Sequence, residues 1–237
     1  MNRSNENLVN IFETGLYTVG EVSRLTHVHP QRISRWMRGY SYNTASGRSS
    51  KAPLWKPETP RVDGMITLGF NDLMEIRFVD ALRDHKISLT KIRKAVSELR
   101  DTLSARYPFS SQTVYVYGKE LITKLHDESG NKLFYELSGS RQTLFYSTTL
   151  PNLEKGIIFE EGFARKWYPD IKRHPMIVIN PKVMFGTPVI EGTRLSAEFI
   201  FDAYKAEGSY ENVAYWYEIE TSAIRQAVSF HSQYAAA

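Results

Sequence analysis

Residues Tyr17–Tyr40 have the pattern of two short helices joined by a tight turn. Val19, Val22 and Leu25 share one face of the first helix, because a three-residue spacing returns to the same side of a helix. Pro30 suits the first turn of the second helix, where its missing N–H removes no hydrogen bond. This stretch therefore predicts a helix-turn-helix, which constrains the fold of the N-terminal part more than any other feature does.

The second of these helices is basic on its outer face, with Arg32, Arg35 and Arg38 and no acidic residue. A duplex is read by a helix that lies in its major groove and is held by cationic contacts to phosphates. We therefore predict binding to double-stranded DNA; the alternative is a helical hairpin whose basic face is only solvated. The predicted DNA-contacting residues are Thr18, His29, Gln31, Arg32, Ser34, Arg35, Arg38, Tyr40, Arg48 and Lys51.

The excess positive charge of the chain is concentrated in its first quarter. The net charge is +4, and residues 1–62 hold nine Lys and Arg against four Asp and Glu. Segments 63–105 and 106–170 are neutral, and segment 171–237 has one more acidic than basic residue. A basic patch confined to one segment is typical of a protein that binds a polyanion.

Composition excludes several other classes of protein. The chain has 237 residues, of which 42% are hydrophobic and 24% charged, as in ordinary globular proteins with two or three small cores. It has no cysteine, which excludes disulfides and thiolate metal sites. It has no apolar run of about twenty residues and no signal-peptide pattern at its start. We expect a cytoplasmic protein without a membrane segment.

The sequence gives little support for an enzyme. The tight acidic pairs, Glu160-Glu161 and Glu218-x-Glu220, lie in predicted turns or helix ends, whereas a metal-dependent nuclease needs clustered carboxylates. His27 and His29 lie beside arginines, which would repel a metal ion. The chain has no Gly-rich phosphate loop and no Gly-x-Ser-x-Gly motif. We therefore predict no catalytic residue, no metal site and no cofactor.

The periodicity predicts an α+β fold in three parts. Residues 14–105 form a winged helix-turn-helix domain, with helices over Phe70–Leu82 and Leu89–Leu103 behind it. Between the helix-turn-helix and the first of these helices, Tyr40–Pro60 is rich in Ser, Gly and Pro and is interpreted as a long loop or wing. This wing either touches the DNA backbone or minor groove or is a mobile surface loop.

Residues 106–170 change to the two-residue period of strands and predict a small antiparallel β-rich region. Its aromatic residues favour a half-buried sheet face, since the neutral charge argues against a platform for stacking bases. Residues 171–237 begin with a strand over Met176–Asn180. They continue as a tri-helical, helix-turn-helix-like domain with helices at Ala197–Ala206, Tyr210–Tyr217 and Ser222–Ser232.

The N-terminal part resembles the winged helix-turn-helix of the MerR family. The resemblance lies in Tyr17–Val22 (YTVGEV) and in Ser88–Arg93 (SLTKIR), which opens a helix. It covers about a third of the chain. The wing here is longer than in that family, and the long dimerising coiled-coil helix is missing.

Residues 180–194 (NPKVMFGTPVIEGTR) resemble the opening of the small domain catalogued as domain-of-unknown-function family 433. An Asp/Asn-Pro, a Gly-x-Pro and a Gly-Thr-Arg recur there in this order before short helices. We assign the motif residues structural roles, because the glycines permit turns that a Cβ would obstruct and the proline stiffens the span between them. These residues are Pro181, Gly186, Pro188, Gly192, Thr193 and Arg194. We also expect Arg194 to pair with Glu198.

The two domains in this order are similar to VapB-type antitoxins of bacterial type II toxin–antitoxin modules. The resemblance implies that the chain binds and neutralises a PIN-like ribonuclease toxin and represses its own operon. On a two-fold operator we expect a homodimer. The alternative is a MerR-like, ligand-responsive transcriptional regulator without a toxin partner, in which the β region is the sensor. The sequence leaves open whether the C-terminal domain or the β region would bind a toxin.

Overall fold

The computed structural model describes residues 13–103, 106–110, 114–117, 120–126, 132–137, 143–144 and 155–236. Within these ranges the chain combines helices with small antiparallel sheets, in agreement with the predicted α+β class. We call residues 13–103 the head and residues 171–236 the tail.

Residues 17–103 of the head contain four helices and two small sheets. The helix-turn-helix is followed by a hairpin, a short strand that returns to the first one, and two longer helices. The elements are β1 (Tyr17–Thr18), α1 (Val19–Thr26), α2 (Pro30–Arg38), β2 (Tyr40–Thr44), β3 (Gly47–Lys51), β4 (Thr67–Leu68), α3 (Phe70–Asp84) and α4 (Leu89–Leu103).

Local signals in the sequence fix both helices of the helix-turn-helix. The Thr18 hydroxyl accepts a hydrogen bond from the Glu21 amide, and the Glu21 carboxylate accepts one from the Thr18 amide, which caps α1. His27 ends α1 in the left-handed conformation, and His29 caps α2 through its Nδ1. Val22, Leu25 and the predicted inner face of α2 are buried, as is Val28 in the turn, whereas Val19 is half-buried. The two predicted helices are therefore confirmed.

A buried carboxylate connects the wing to α3. Asp72 is fully buried and accepts hydrogen bonds from the Gly69 amide at 2.9 Å, the Glu58 amide at 2.8 Å and Trp55 Nε1 at 2.8 Å. The Gly69 bond caps α3, and the other two hold the segment that returns from the wing. Asp72 thus caps α3 and also ties the returning segment of the wing to this helix.

The middle region contains a four-stranded antiparallel sheet and a separate hairpin. Strands β5 (Val114–Tyr117), β6 (Glu120–His126), β7 (Lys132–Leu137) and β8 (Thr143–Leu144) pair in sequential order. Strands β9 (Ile157–Glu160) and β10 (Phe163–Trp167) form the hairpin. The predicted antiparallel β-rich region is thus present in the described residues. The predicted aromatic sheet face falls on side chains outside the described part of the structure.

The tail consists of a two-stranded sheet, a 3-10 turn and three helices. The strand predicted over Met176–Asn180 is shorter, and the last helix continues beyond the predicted Ser232. The elements are β11 (Ile177–Val178), the 3-10 turn (Met184–Gly186), β12 (Val189–Ile190), α5 (Ala197–Glu207), α6 (Tyr210–Tyr217) and α7 (Thr221–Ala236).

Head and tail meet at the Gly-x-Pro motif. The buried Tyr17 hydroxyl donates a hydrogen bond to the Gly186 carbonyl at 2.9 Å, and the Leu16 amide donates to the Phe185 carbonyl at 3.0 Å. Gly186 has a φ of +80°, and a Cβ there would overlap the Tyr17 hydroxyl. One continuous apolar core runs from α1 to α7. The division into parts 14–105, 106–170 and 171–237 stays a prediction.

Three of the other motif residues are also buried or hydrogen-bonded within the tail. Pro181 is buried, the Pro188 carbonyl accepts from the Ala197 amide at 2.9 Å, and the Thr193 hydroxyl donates to the Ile190 carbonyl at 2.8 Å. Arg194 is exposed, and it forms no ion pair with Glu198 among the described residues. The predicted pair is therefore wrong: a four-residue spacing favours contact only within one helix, and Arg194 precedes α5.

Two carboxyl groups beside the Asp72 tie are held in low-dielectric surroundings. Glu75 on α3 is buried and accepts a hydrogen bond from the Ser110 amide at 2.8 Å, yet burial raises its pKa to about 8. Burial also raises the pKa of Glu58 to about 7. Both groups therefore bind a proton in the folded chain at pH values where the unfolded chain has lost it.

We predict that Gly186→Ala destabilises the chain more than Gly192→Ala. Both glycines have φ near +80°, but nothing lies within 4 Å of a Cβ at Gly192. Each change adds left-handed strain of about 1–2 kcal/mol, and only Gly186→Ala adds overpacking of about 1–3 kcal/mol against Tyr17. Thermal or denaturant unfolding measures the difference. Equal losses in the two variants would contradict the described head–tail contact.

We also predict that stability falls as the pH rises from about 5 to 8. The folded chain keeps the Glu75 and Glu58 protons in this window, whereas the unfolded chain, with carboxyl pKa values near 4.5, releases them. Glu75→Gln should flatten the slope, because an uncharged amide replaces the titrating carboxyl while Glu58 still contributes. Unfolding measured across this pH range tests the prediction, and identical slopes for both proteins would refute it.

Candidate nucleic-acid interface

Helix α2 presents a polar face outward and an apolar face inward. Ile33, Trp36 and Met37 are buried and anchor the helix on α1 and α3. The side chains predicted to contact DNA lie on the opposite side: His29, Gln31, Arg32, Arg35 and Arg38 are exposed, and Ser34 is half-buried. The sequence thus predicted the orientation of the helix, since that follows from helical geometry alone.

The three arginines of α2 differ in their surroundings. Arg32 Nη1 lies 2.7 Å from the Asp80 carboxylate of α3, so this cation is partly neutralised. The Arg35 guanidinium lies 4.2 Å from the centre of the Tyr40 ring, a cation–π contact that positions it at the start of the hairpin. Arg38 has no ion pair among the described residues, which makes it available to an external phosphate.

The predicted wing is a β-hairpin rather than an irregular loop. Strands β2 and β3 pair from Tyr40 opposite Lys51 to Thr44 opposite Gly47, and most of their side chains are exposed. Arg48 lies beside the turn, opposite Asn43. The segment shows no alternation of apolar and polar residues, because all positions of a solvated hairpin can be polar, here mainly Ser, Thr and Asn. The strands were therefore not predicted.

The base of the hairpin is fixed against the end of α2. Gly39 has a φ of +72°, and a Cβ there would collide with the Lys51 carbonyl. The Leu54 amide donates to the Trp36 carbonyl at 2.8 Å, and Arg93 of α4 donates to the Pro53 carbonyl at 3.2 Å. Helix and hairpin therefore form one surface on which Arg35, Tyr40 and Lys51 lie together.

Two further cations, which were not among the predicted DNA contacts, also lie on this surface. A groove of about 680 Å³ beside α2 is lined by Arg83 and Lys86 together with Arg32 and Arg35. The Arg83 Nη1 donates to the Ile87 carbonyl at 2.7 Å, which holds its side chain in place. Segment 63–105 is neutral as a whole, so only the fold brings these two charges to the helix-turn-helix.

Thr18 has a different role from the other predicted contacts. Its hydroxyl donates to the Glu21 carboxylate at 2.8 Å and accepts from the Glu21 amide at 3.2 Å. Both interactions belong to the cap of α1, so the side chain is already engaged before any duplex binds. The structure supports a structural role for Thr18, and its contact with DNA stays a prediction.

Neither a metal site nor a membrane span is found in the described ranges. No group of three or more His, Asp and Glu residues there could hold a metal ion. Likewise, no helix in the described part of the chain is long and apolar enough to cross a membrane.

Comparison with known families gives a match at each end of the chain. Residues 15–96 match a family described as a putative DNA-binding HTH domain. Residues 177–231 match a family described as a protein of unknown function, DUF433. The first match contains α1, α2 and the hairpin, and the second runs from β11 into α7. The finer resemblance to MerR proteins stays a prediction.

Two proteins of Mycobacterium tuberculosis are similar to the chain over nearly its whole length. The protein named "Uncharacterized protein Rv2308" is 25% identical over 243 residues, covering 98% of this chain and 96% of that protein. The protein named "Putative antitoxin VapB45" is 21% identical over 232 residues, covering 92% and 94%.

The crystal structure of Rv2018 from the same organism has a similar fold, with a TM-score of 0.57 at 16% identity. The similarity covers 90% of this chain and 96% of that one. The chain thus matches a family described as a putative DNA-binding HTH domain and has a weak, nearly whole-length similarity to a protein named "Putative antitoxin VapB45".

Proposed function

We propose that this chain is the antitoxin of a bacterial type II toxin–antitoxin module. It binds operator DNA through α2 and the hairpin, represses its own operon and neutralises a PIN-like ribonuclease toxin. The observation that carries this proposal is the similarity to "Putative antitoxin VapB45" over 92% of the chain, which includes both head and tail. The proposal also includes a cytoplasmic location and the absence of enzyme activity.

The basic surface of the head supports the DNA-binding half of the proposal. Arg35, Arg38, Arg48 and Lys51 are exposed, and Gly39 fixes their two elements against each other. Cations at fixed positions release counterions from a duplex and set the register of α2 in the major groove. In this proposal two copies bind a two-fold operator with half-sites about 34–36 Å apart.

An exposed aromatic cluster supports the protein-binding half. We call Phe199, Tyr215, Trp216 and Tyr217 the aromatic patch. Tyr215 and Trp216 are 78% and 65% exposed, and the Phe199 and Tyr217 rings contact each other with centroids 5.3 Å apart. Exposed aromatic clusters mark protein interfaces, where Trp and Tyr contribute much of the binding energy.

The charge beside the aromatic patch favours a basic partner. Glu218 and Glu220 line the same shallow groove as Tyr215 and Trp216, and Glu211 in that groove is paired with Arg225 at 2.9 Å. A ribonuclease needs a positively charged surface to bind RNA, so its charge would complement the acidic rim. We propose the aromatic patch, rather than the β region, as the toxin contact.

The alternative function is a MerR-like, ligand-responsive regulator without a toxin partner. Co-expression with the adjacent open reading frame distinguishes the antitoxin from the ligand-responsive regulator. The antitoxin proposal expects that frame to encode a small ribonuclease that arrests growth alone and co-purifies with this chain. Unrelieved growth arrest without co-purification would reject the antitoxin and favour the regulator.

We predict that Arg35→Ala and Arg38→Ala weaken binding to the DNA upstream of the gene. A lost base contact costs about 1–3 kcal/mol, and a lost phosphate contact lowers the salt slope by about one. Arg32→Ala should change the slope less, because Asp80 already pairs with Arg32. Fluorescence anisotropy at several salt concentrations measures both quantities.

Arg225→Ala is the matched control for Arg32, since Arg225 is an exposed tail arginine paired with Glu211. It should leave the affinity for DNA unchanged. If a triple substitution of Arg32, Arg35 and Arg38 bound DNA like the native chain, α2 would not be the recognition helix.

We predict that Trp216→Ala abolishes capture of the toxin and rescue of growth while DNA binding persists. Truncating a central aromatic hot spot costs about 2–4 kcal/mol of binding free energy. Phe163→Ala is the control, because Phe163 is an aromatic residue that is 43% exposed on β10 and is not part of the aromatic patch. Pull-down and growth rescue give the readout, and undiminished capture by the Trp216 variant would exclude this patch.

A further inference from the structure

An acid of helix α3 contacts the basic face of α2. Asp80 Oδ1 lies 2.7 Å from Arg32 Nη1, although the two residues are 48 positions apart in the chain. Arg35 and Arg38 form no ion pair in the described part of the chain. Among the arginines of α2, Arg32 is therefore the one whose charge is already opposed by a carboxylate.

Asp80 has no second cation as partner among the described residues. Arg83, the next cation along α3, donates through its Nη1 to the Ile87 carbonyl at 2.7 Å instead. The Asp80 side chain is 20% exposed, against 52% for Arg32, so the carboxylate is the more enclosed member of the pair. Salt screens an enclosed charge less than an exposed one. Asp80 therefore restrains the Arg32 guanidinium from the protein side.

A phosphate contact would require Arg32 to give up this partner. If its guanidinium moved to a phosphate, the Asp80 carboxylate would be left unpaired beside a polyanion, and like charges at close range repel. Arg35 and Arg38 have no carboxylate to leave behind. Because phosphate contacts form with DNA of any sequence, Asp80 opposes the contribution of Arg32 to sequence-independent binding.

A contact to a base edge needs no such separation of charges. In the described part of the chain, Arg32 Nη1 is engaged by Asp80, while its Nε and Nη2 have no hydrogen-bond partner. A guanidinium has enough N–H donors to contact a carboxylate and a base at the same time. Guanine fits best, because its O6 and N7 both accept hydrogen bonds from an arginine in the major groove.

We propose that Asp80 is a positioning residue that makes DNA binding depend on sequence. It holds Arg32 toward a guanine edge and lowers the affinity for DNA that lacks this guanine. The inference rests on the DNA-binding half of the proposed function, because it requires α2 to lie in the major groove. An ion pair that only stabilised the packing of α2 on α3 would affect all duplexes equally.

The test measures fluorescence anisotropy of the full-length chain with two duplexes of equal length and base composition. One is the DNA upstream of the gene, and the other is a shuffled version of it. Asp80→Asn should bind the shuffled duplex about threefold to tenfold more tightly and increase its salt slope by about 0.9, because the released Arg32 neutralises an additional phosphate. The ratio of the two affinities should fall by at least about threefold.

Asp84→Asn is the matched control, since Asp84 is an exposed acid one turn after Asp80 that forms no ion pair in the described ranges. Loss of its charge should strengthen binding to both duplexes alike and keep their ratio within about twofold of the native value. Asp80→Glu keeps the charge and should retain the native ratio. On an Arg32→Ala background, Asp80→Asn should not lower the ratio, because no guanidinium is left to release.

Thermal unfolding without DNA shows whether each variant is folded, and Asp80→Ser replaces Asp80→Asn if that variant is not. Where Arg35→Ala weakens binding to the upstream duplex, three results would overturn this inference alone. They are an unchanged ratio in Asp80→Asn, an equal fall in Asp84→Asn, and a fall that persists without Arg32. Failure of the native chain to bind the upstream duplex would instead reject the DNA-binding half of the proposed function together with this inference.

Discussion

The hydrogen bond from the Tyr17 hydroxyl to the Gly186 carbonyl holds the two ends of the described chain together. Burial raises the pKa of this phenol well above its ordinary value, so the hydroxyl remains a donor. The next residue, Thr18, caps α1, and α1 packs on both α2 and α7. This contact joins Tyr17, at the start of the helix-turn-helix, to the Gly-x-Pro motif of the tail. It therefore sets the position of α2 and the hairpin relative to the tail.

The sequence predicted most helices because the signals for them are local. The apolar spacing and Pro30 lie within the elements that they specify, and the bounds of α4 and α6 agree with the prediction. The hairpin was predicted only as a loop or wing, since a strand pair that is polar on both faces leaves no apolar alternation. The register of such a pair is set by its turn and by Gly39.

The partners of the candidate site residues could not be predicted in the same way. Arg32 and Asp80 are 48 positions apart, and Tyr17 and Gly186 are 169 apart, so only the folded chain brings them together. Helical geometry showed which residues of α2 point outward, but not that Asp80 partly neutralises one of its arginines.

Both ends of the wing are fixed to the rest of the head, so the length and sequence of the hairpin tip can vary without changing the fold. Gly39 and the Leu54 amide fix its base on α2, and the Asp72 carboxylate holds the returning segment at Trp55 and Glu58. Insertions or deletions between Thr44 and Gly47 would therefore leave the core undisturbed. Relatives of this chain could diverge in which DNA they read by changing the length and charge of the tip, while the frame that carries it stays the same.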